Sequence, residues 1–330
     1  MATGWEVMRK DALAAAKSRN VNWDENLFDL DYIHFHEGVE IHAGYGWANL
    51  GRRGAWGVLD NAALPAHELG HNLGLNHANL WVPTERQTVI GPGSSDDYDD
   101  AFDVMGRGDV GGTASGPTRG HFNAYGKYIL GWIPDSAVAT TPQTGGTYVY
   151  RVRPHDLGNI QANQYYAVKI PRPDGRHYWF SVRRHRGLSD NPWVSGGVEV
   201  HLEHTSNGGH SQLLDTTAQS FSVTTATDSR ETADSALAIG RTFSDAAMAV
   251  HVTPTASYPD GSVDLRVTRG APSPNAPSVS FTAAPESVAP GQAASFAVSA
   301  SDADGGPFYY HWDFGDRTFG SNAAATKAWA

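Results

Sequence analysis

Apolar residues recur at two different periods along this chain, and the change of period divides it. From Trp5 to Lys17, Val7, Met8, Ala12, Ala15 and Ala16 fall on one side of a helical wheel, which predicts a helix backing a sheet. Phe28 to Phe35 alternates Phe28, Leu30 and Tyr32 with Asp29 and Asp31, a strand pattern whose His34 and His36 read as partly exposed sheet residues. Gly44 to Trp56 is glycine-rich and aromatic, the texture of an edge strand with close backbone approaches or of a plain surface hairpin. A short strand is expected from Trp56 to Leu59, then a helix with Pro65 in its first turn. A second helix is expected from Phe122 to Leu130, ended by Gly131 with Pro134 just beyond.

Past Ser136 the period shortens to two. The runs TYVYRV, QYYAVKI, HYWFSVRR, GVEVHLE, MAVHV and SVDLRV, separated by Gly, Pro, Asn and Asp, predict an antiparallel β-sandwich up to Gly270. APSPNAPSV, from Ala271, reads as an extended, semi-rigid linker. The expected organisation is a multidomain α+β chain: an α+β domain at 1–135, a β-sandwich at 136–270, a linker at 271–276 and a last unit at 277–330.

Composition narrows the function. A length of 330 residues suits two or three domains. Net charge is -11 and no basic run occurs, so nucleic acid and anionic membrane surfaces are not expected partners. No apolar stretch is long enough for a transmembrane segment, and the first residues lack the apolar core of a signal peptide. Cysteine is absent, which removes disulfides and thiolate ligands but does not fix the compartment. Nothing in the pattern sets an oligomeric state.

The chemistry concentrates at HELGHNLGLNH, His67 to His77. On a helix His67 and His71 stand one turn apart, so both imidazoles face one point. Glu68 hangs beside that point, where a carboxylate serves as general base towards a water. Gly74 suits a left-handed helix end, after which the chain turns back and His77 comes round as a third nitrogen ligand. Three protein ligands with a fourth position open describe catalytic zinc, Zn2+. The competing reading is a core helix with incidental histidines. Downstream, Asp96, Asp97, Asp99, Asp100 and Asp103 form either a Ca2+-binding loop or a solvated acidic rim. Gly106, Gly108 and Gly111 make a GxGxxG with no βαβ unit round it, hence a flexible loop and not a dinucleotide site.

HExxHxxGxxH is the metzincin signature. FDVMG round Met105, and HFNAYGKYILGW from His121, are similar to the gametolysin-like branch, which is related to immune-inhibitor-A-like peptidases; the resemblance runs over residues 28–133. It implies a twisted mixed sheet carrying a zinc helix, with Met105 in a tight turn at Asp103 to Gly106 as the apolar floor under the metal. It also implies that the edge strand before the zinc helix, at Gly46, Trp47, Ala48 and Asn49, pairs with an extended peptide substrate. Astacin-like and serralysin-like relatives carry Tyr two residues after the Met; Arg107 stands there in this chain, so no tyrosine is expected at the metal.

The last unit resembles a PKD domain, an Ig-like sandwich whose WDFGDG strand corresponds to Trp312, Asp313, Phe314, Gly315 and Asp316, with Arg317 replacing the final Gly. Residues 277–330 are too few to complete such a sandwich, so a truncated module is expected. PKD domains occur on secreted and cell-surface proteins, which implies an extracellular chain. The combined expectation is a secreted zinc endopeptidase with Glu68 as base, acting on a protein or peptide. Two alternatives stand: a non-catalytic adhesion or matrix-binding protein braced by zinc, and a zinc hydrolase acting on a non-peptide amide or ester.

Overall fold

The computed structural model describes residues 4–19, 24–35, 45–58, 63–107, 121–158, 160–184, 196–204, 210–218, 220, 232, 234–271, 276–316 and 318–330. His36, Leu59, Gly108, Gly111, Arg317 and linker residues 272–275 lie outside this set, and with them the glycine-loop reading and most of the linker.

Helix α1 (Gly4–Arg19) is held to the segment before the first strand by Arg9, whose guanidinium meets Asp31 at 2.7 Å, with Arg53 at 3.2 Å on the same carboxylate. Those pairs fix Asp31 in place of a longer strand. A 3-10 turn occupies Glu25–Leu27, Phe28 is half exposed, and only β1 (Tyr32–His34) of the expected Phe28 to Phe35 strand forms. With β2 (Gly46–Ala48) and β3 (Ala55–Gly57) it makes a mixed sheet in the order β1-β3-β2, parallel at β1/β3 and antiparallel at β2/β3. Next come α2 (Ala63–Asn72), β4 (Ala78–Pro83), β5 (Gly93–Asp96) and α3 (Ala124–Ile129), the last capped by Asn123, whose side chain accepts from the Gly126 amide.

The strands that follow are β6 (Val138–Thr140), β7 (Gly146–Val152), β8 (Gln164–Tyr165), β9 (Ala167–Pro171), β10 (His177–Ser181), β11 (Gly197–Glu203), β12 (Ser211–Leu214), β13 (Leu237–Ala238), β14 (Phe243–Asp245), β15 (Val250–Ser257) and β16 (Val263–Arg269). One sheet runs β5-β4-β12-β11-β10-β9-β6, with β13 also on β11; the other runs β14-β15-β16-β7-β8. Their facing sides bury Val168, Ile170, Tyr178, Phe180, Val200, Leu214, Val252 and Leu265 in one core. This is a sandwich, but not an all-antiparallel one: β12/β4, β6/β9 and β7/β8 are parallel pairs. Nor does it begin at residue 136. Strands β4 and β5 precede that point and continue its larger sheet through the register Ser211↔Ala78 to Leu214↔Trp81. Alternation predicts faces and not partners, so the crossing was invisible in the sequence.

Strand β11 shows what the crossing does. Val198, Val200 and Leu202 enter the sandwich core, while Glu199 and His201, on the other face, are also buried. The residues covering that second face belong to the loop after β5. The last strands, β17 (Ser278–Ala284), β18 (Ala293–Ser301), β19 (Trp312–Asp313), β20 (Phe319–Gly320) and β21 (Ala324–Ala328), form a three-stranded and a two-stranded sheet. Phe296 gathers Trp312, Phe314 and Trp329 at ring separations of 5.8, 5.9 and 6.2 Å. Among the described residues the chain is thus mostly β, and its three α-helices all lie before residue 136.

Candidate metal centre

Helix α2 carries His67 and His71 and ends as the sequence requires. Gly74 adopts φ +101°, its amide bonds to His71 O at 2.9 Å, and the Leu75 amide reaches Gly70 O at 3.0 Å, a Schellman end. That turn aims Leu75 O back at the helix, where it accepts from His71 Nδ1 at 2.7 Å. His67 Nδ1 donates to Val104 O at 2.8 Å, and His77 Nδ1 meets both oxygens of Asp97 at 3.1 Å. A carbonyl only accepts, so Nδ1 of His67 and of His71 carries the proton. The same tautomer suits His77 beside a carboxylate, and all three Nε2 lone pairs are left for one common point. The ring centroids stand 4.8, 5.5 and 5.0 Å apart, and the ligating atoms lie within 4.8 Å of one another. Among the described residues no other three His, Asp or Glu side chains converge in this way. Burial lowers His67 to about 4 and lowers His71, which keeps those imidazoles neutral.

The floor beneath the histidines is built by the turn at Asp103 to Gly106. Met105 is buried, and a methyl added at Gly70, between the two helical histidines, would stand 2.4 Å from its sulfur. Glycine is the residue that lets the turn come this close. Asp103 shapes the turn by accepting from the Met105 amide at 2.7 Å and the Asn123 amide at 2.6 Å; burial, then Asp100, pushes its carboxyl up to about 7.

Glu68 is 5% exposed and points at β2. A methyl added at Gly46 would lie 2.3 Å from Glu68 Oε1 and 2.7 Å from Leu64 Cδ1, so the β2 backbone runs directly past the carboxylate. Burial raises Glu68 to about 7, into the range where a carboxylate both takes and returns protons near neutrality. Tyr32 lies near it, its buried hydroxyl making no hydrogen bond; burial, then Glu68, raises that phenol to about 12. Gly46, Trp47 and Ala48 occupy an outer strand of the small sheet, with Tyr45 and Trp47 exposed. Asn49 sits in the turn beyond, and its polar groups are used internally: its amide reaches Gly54 O, its carbonyl accepts from Asn72, and its side chain donates to Arg53 O.

In the acidic stretch the aspartates meet partners within the chain. Asp97 holds His77, Asp99 pairs with Arg107, Asp100 accepts from His201 at 2.9 Å, and Asp103 serves the turn. Arg107 is thereby committed away from the histidines. Two residues to which sequence reasoning gave no place at the histidines stand there instead. One is Asp97, whose spacing from His77 carries no ligand pattern. The other is Tyr98, at φ +65° between the two engaged aspartates. Its ring lies 3.6 Å from the His77 ring and stacks on His67 at 5.7 Å.

The sandwich reaches this centre from below. Arg183 donates to Phe102 O and pairs with Glu199, and Asn123 Nδ2 donates to Ser211 Oγ at 2.7 Å. Leu213 packs with Leu80, Ala101 and Phe102. No helix among the described residues is long and apolar enough to cross a membrane. No curated protein and no solved structure has a significant match to the chain. Residues 274–330 match the PKD domain family, so the chain carries a PKD domain at that end.

Proposed function

We propose that this chain is a secreted zinc-dependent endopeptidase of metzincin type, gametolysin-like, with His67, His71 and His77 as metal ligands and Glu68 as general base. One observation carries the reading: three imidazoles with their Nδ1 atoms engaged by Val104 O, Leu75 O and Asp97 turn Nε2 to one point beside a buried carboxylate and an outer strand. The donor set fits zinc, which takes neutral imidazole nitrogen, and ligating His commonly donates its other N–H to a carbonyl or carboxylate. Zinc bound there supplies Lewis-acid activation of a water and polarisation of a carbonyl. The chain's own residues do the rest. The β2 backbone at Gly46 to Ala48 offers N–H and C=O groups to an extended peptide. Glu68 takes the proton of the attacking water and returns it to the leaving amine. Met105 and Gly70 fix the helix height, and Asp97 fixes the His77 ring.

The PKD domain favours a second reading, an adhesion protein in which the histidines only brace the fold. The experiment is zinc content together with casein cleavage, with and without chelator, for the wild type and Glu68→Gln. The endopeptidase reading expects one zinc per chain in both, chelator-sensitive cleavage in the wild type, and turnover reduced about 10²- to 10⁴-fold in the variant. A zinc-loaded wild type that leaves casein intact supports the adhesion reading.

A further inference from the structure

Resting on the endopeptidase reading, we propose that Tyr98 is a further catalytic residue: its phenol donates a hydrogen bond to the substrate oxygen that gains negative charge when water adds to the scissile carbonyl. No tyrosine is expected here from the resemblance, because Arg107 stands where related enzymes have one. The structure supplies a tyrosine from another segment, the turn after β5, and turns Arg107 to Asp99.

Three observations converge on Tyr98. First, its ring covers the histidine cluster, 3.6 Å from His77 and stacked on His67 at an interplanar angle of 14°. Second, the residue is 43% exposed, so it borders solvent as well as the histidines. Third, its position is held from both sides: Asp97 is engaged by His77, Asp99 by Arg107, and the Tyr98 amide itself donates to Asn79 Oδ1 at 3.3 Å. A tyrosine at φ +65° persists only where its surroundings impose it, and such residues cluster at functional sites. Packing alone does not account for it, because a ring so exposed contributes little to the core.

The step balances without an external reagent. The water oxygen forms a bond to the carbonyl carbon, and the π pair moves to the carbonyl oxygen. The water proton goes to Glu68, and Tyr98 O–H donates to the new oxyanion while keeping its proton. When the pair returns, the C–N bond breaks and Glu68 gives its proton to the amine nitrogen. A donor held beside the histidines by its ring acts on the developing charge in the transition state more than in substrate binding, so its loss appears in kcat.

The test is Tyr98→Phe, which keeps the ring on His77 and removes only the hydroxyl. Zinc content, KM and kcat on a peptide substrate are measured with the affinity for a peptide phosphonamidate, whose tetrahedral phosphorus carries the second oxygen. The proposal expects one zinc per chain, KM within about twofold, kcat lower by about 10²-fold, and phosphonamidate affinity lower by a similar factor. It is overturned if kcat and phosphonamidate affinity both stay within twofold of the wild type, with the endopeptidase reading left standing. It is equally overturned if the variant loses zinc, since Tyr98 would then be a structural support. A zinc-loaded wild type that neither cleaves peptide nor binds the phosphonamidate overturns the endopeptidase reading itself, and this assignment with it.

Discussion

At the scale of single residues, the centre depends on close approaches that only glycine permits. Gly46 faces Glu68 Oε1 and Gly70 faces the Met105 sulfur, both nearer than any Cβ tolerates. Gly46→Ala must therefore push Glu68 or Leu64 aside, at a cost of about 1–3 kcal/mol. Because Glu68 is the displaced group, the expected outcome is a lower melting temperature with turnover reduced and zinc content retained. A Gly46→Ala protein with unchanged kcat would show that Glu68 is not held by β2. Glu68, His67, His71 and His77 were legible from spacing, since all four lie on one helix and the turn that ends it. Asp97 and Tyr98 were not, because nothing local links residue 97 to residue 77.

At the scale of elements, the end of α2 places one ligand and hands the chain on to another. Gly74 at φ +101° is the pivot of the Schellman end, and Leu75 O, delivered by that turn, holds His71 Nδ1. Gly74→Ala forces a side chain into a backbone region that costs L-residues roughly 1–2 kcal/mol. Relaxation of the turn would move Leu75 O from His71, and loss of such an outer partner weakens metal binding about 10- to 100-fold. Zinc titration against a chelating dye checks this, with unchanged affinity counting against a positioning role for the turn. The helix and its stop were readable from local chemistry. The Phe28 to Phe35 strand was over-read because alternation reports a two-sided surface, whereas Asp31 is drawn out of it by Arg9 and Arg53.

At the scale of the whole molecule, the metal centre and the sandwich share structure. Strand β4 pairs with β12, Leu213 packs against Phe102, and Arg183, His201 and Ser211 bind Phe102, Asp100 and Asn123 respectively. A fragment of residues 1–135 leaves β4 with β5 but without β12, and these buried groups without partners, so it should show no cooperative thermal unfolding. A sharp transition by circular dichroism in that fragment would refute the dependence. The His201 to Asp100 link also gives a pH signature. Burial disfavours the His201 cation, but Asp100 at 2.9 Å outweighs it and the folded pKa lies above the ordinary 6.5. The contribution is then full below about pH 6.5 and is lost as pH rises through the raised value. The stability difference between wild type and His201→Gln should accordingly shrink as pH increases above 6.5, read from denaturant midpoints across that range.

The helix, its stop, the three imidazoles, the neighbouring carboxylate and the PKD domain could be read from the chain alone, because each is written within a few residues or within one repeating strand pattern. Long-range packing alone makes GVEVHLE bury both its faces, sends Arg107 to Asp99, and lays Tyr98 over the histidines. A strand of period two states which residues share a face but not what that face meets. Partners for Glu199, His201 and Tyr98 come from other segments, 16 to 101 residues away, and their choice is fixed by the balance of burial and charge pairing once the chain has closed on itself.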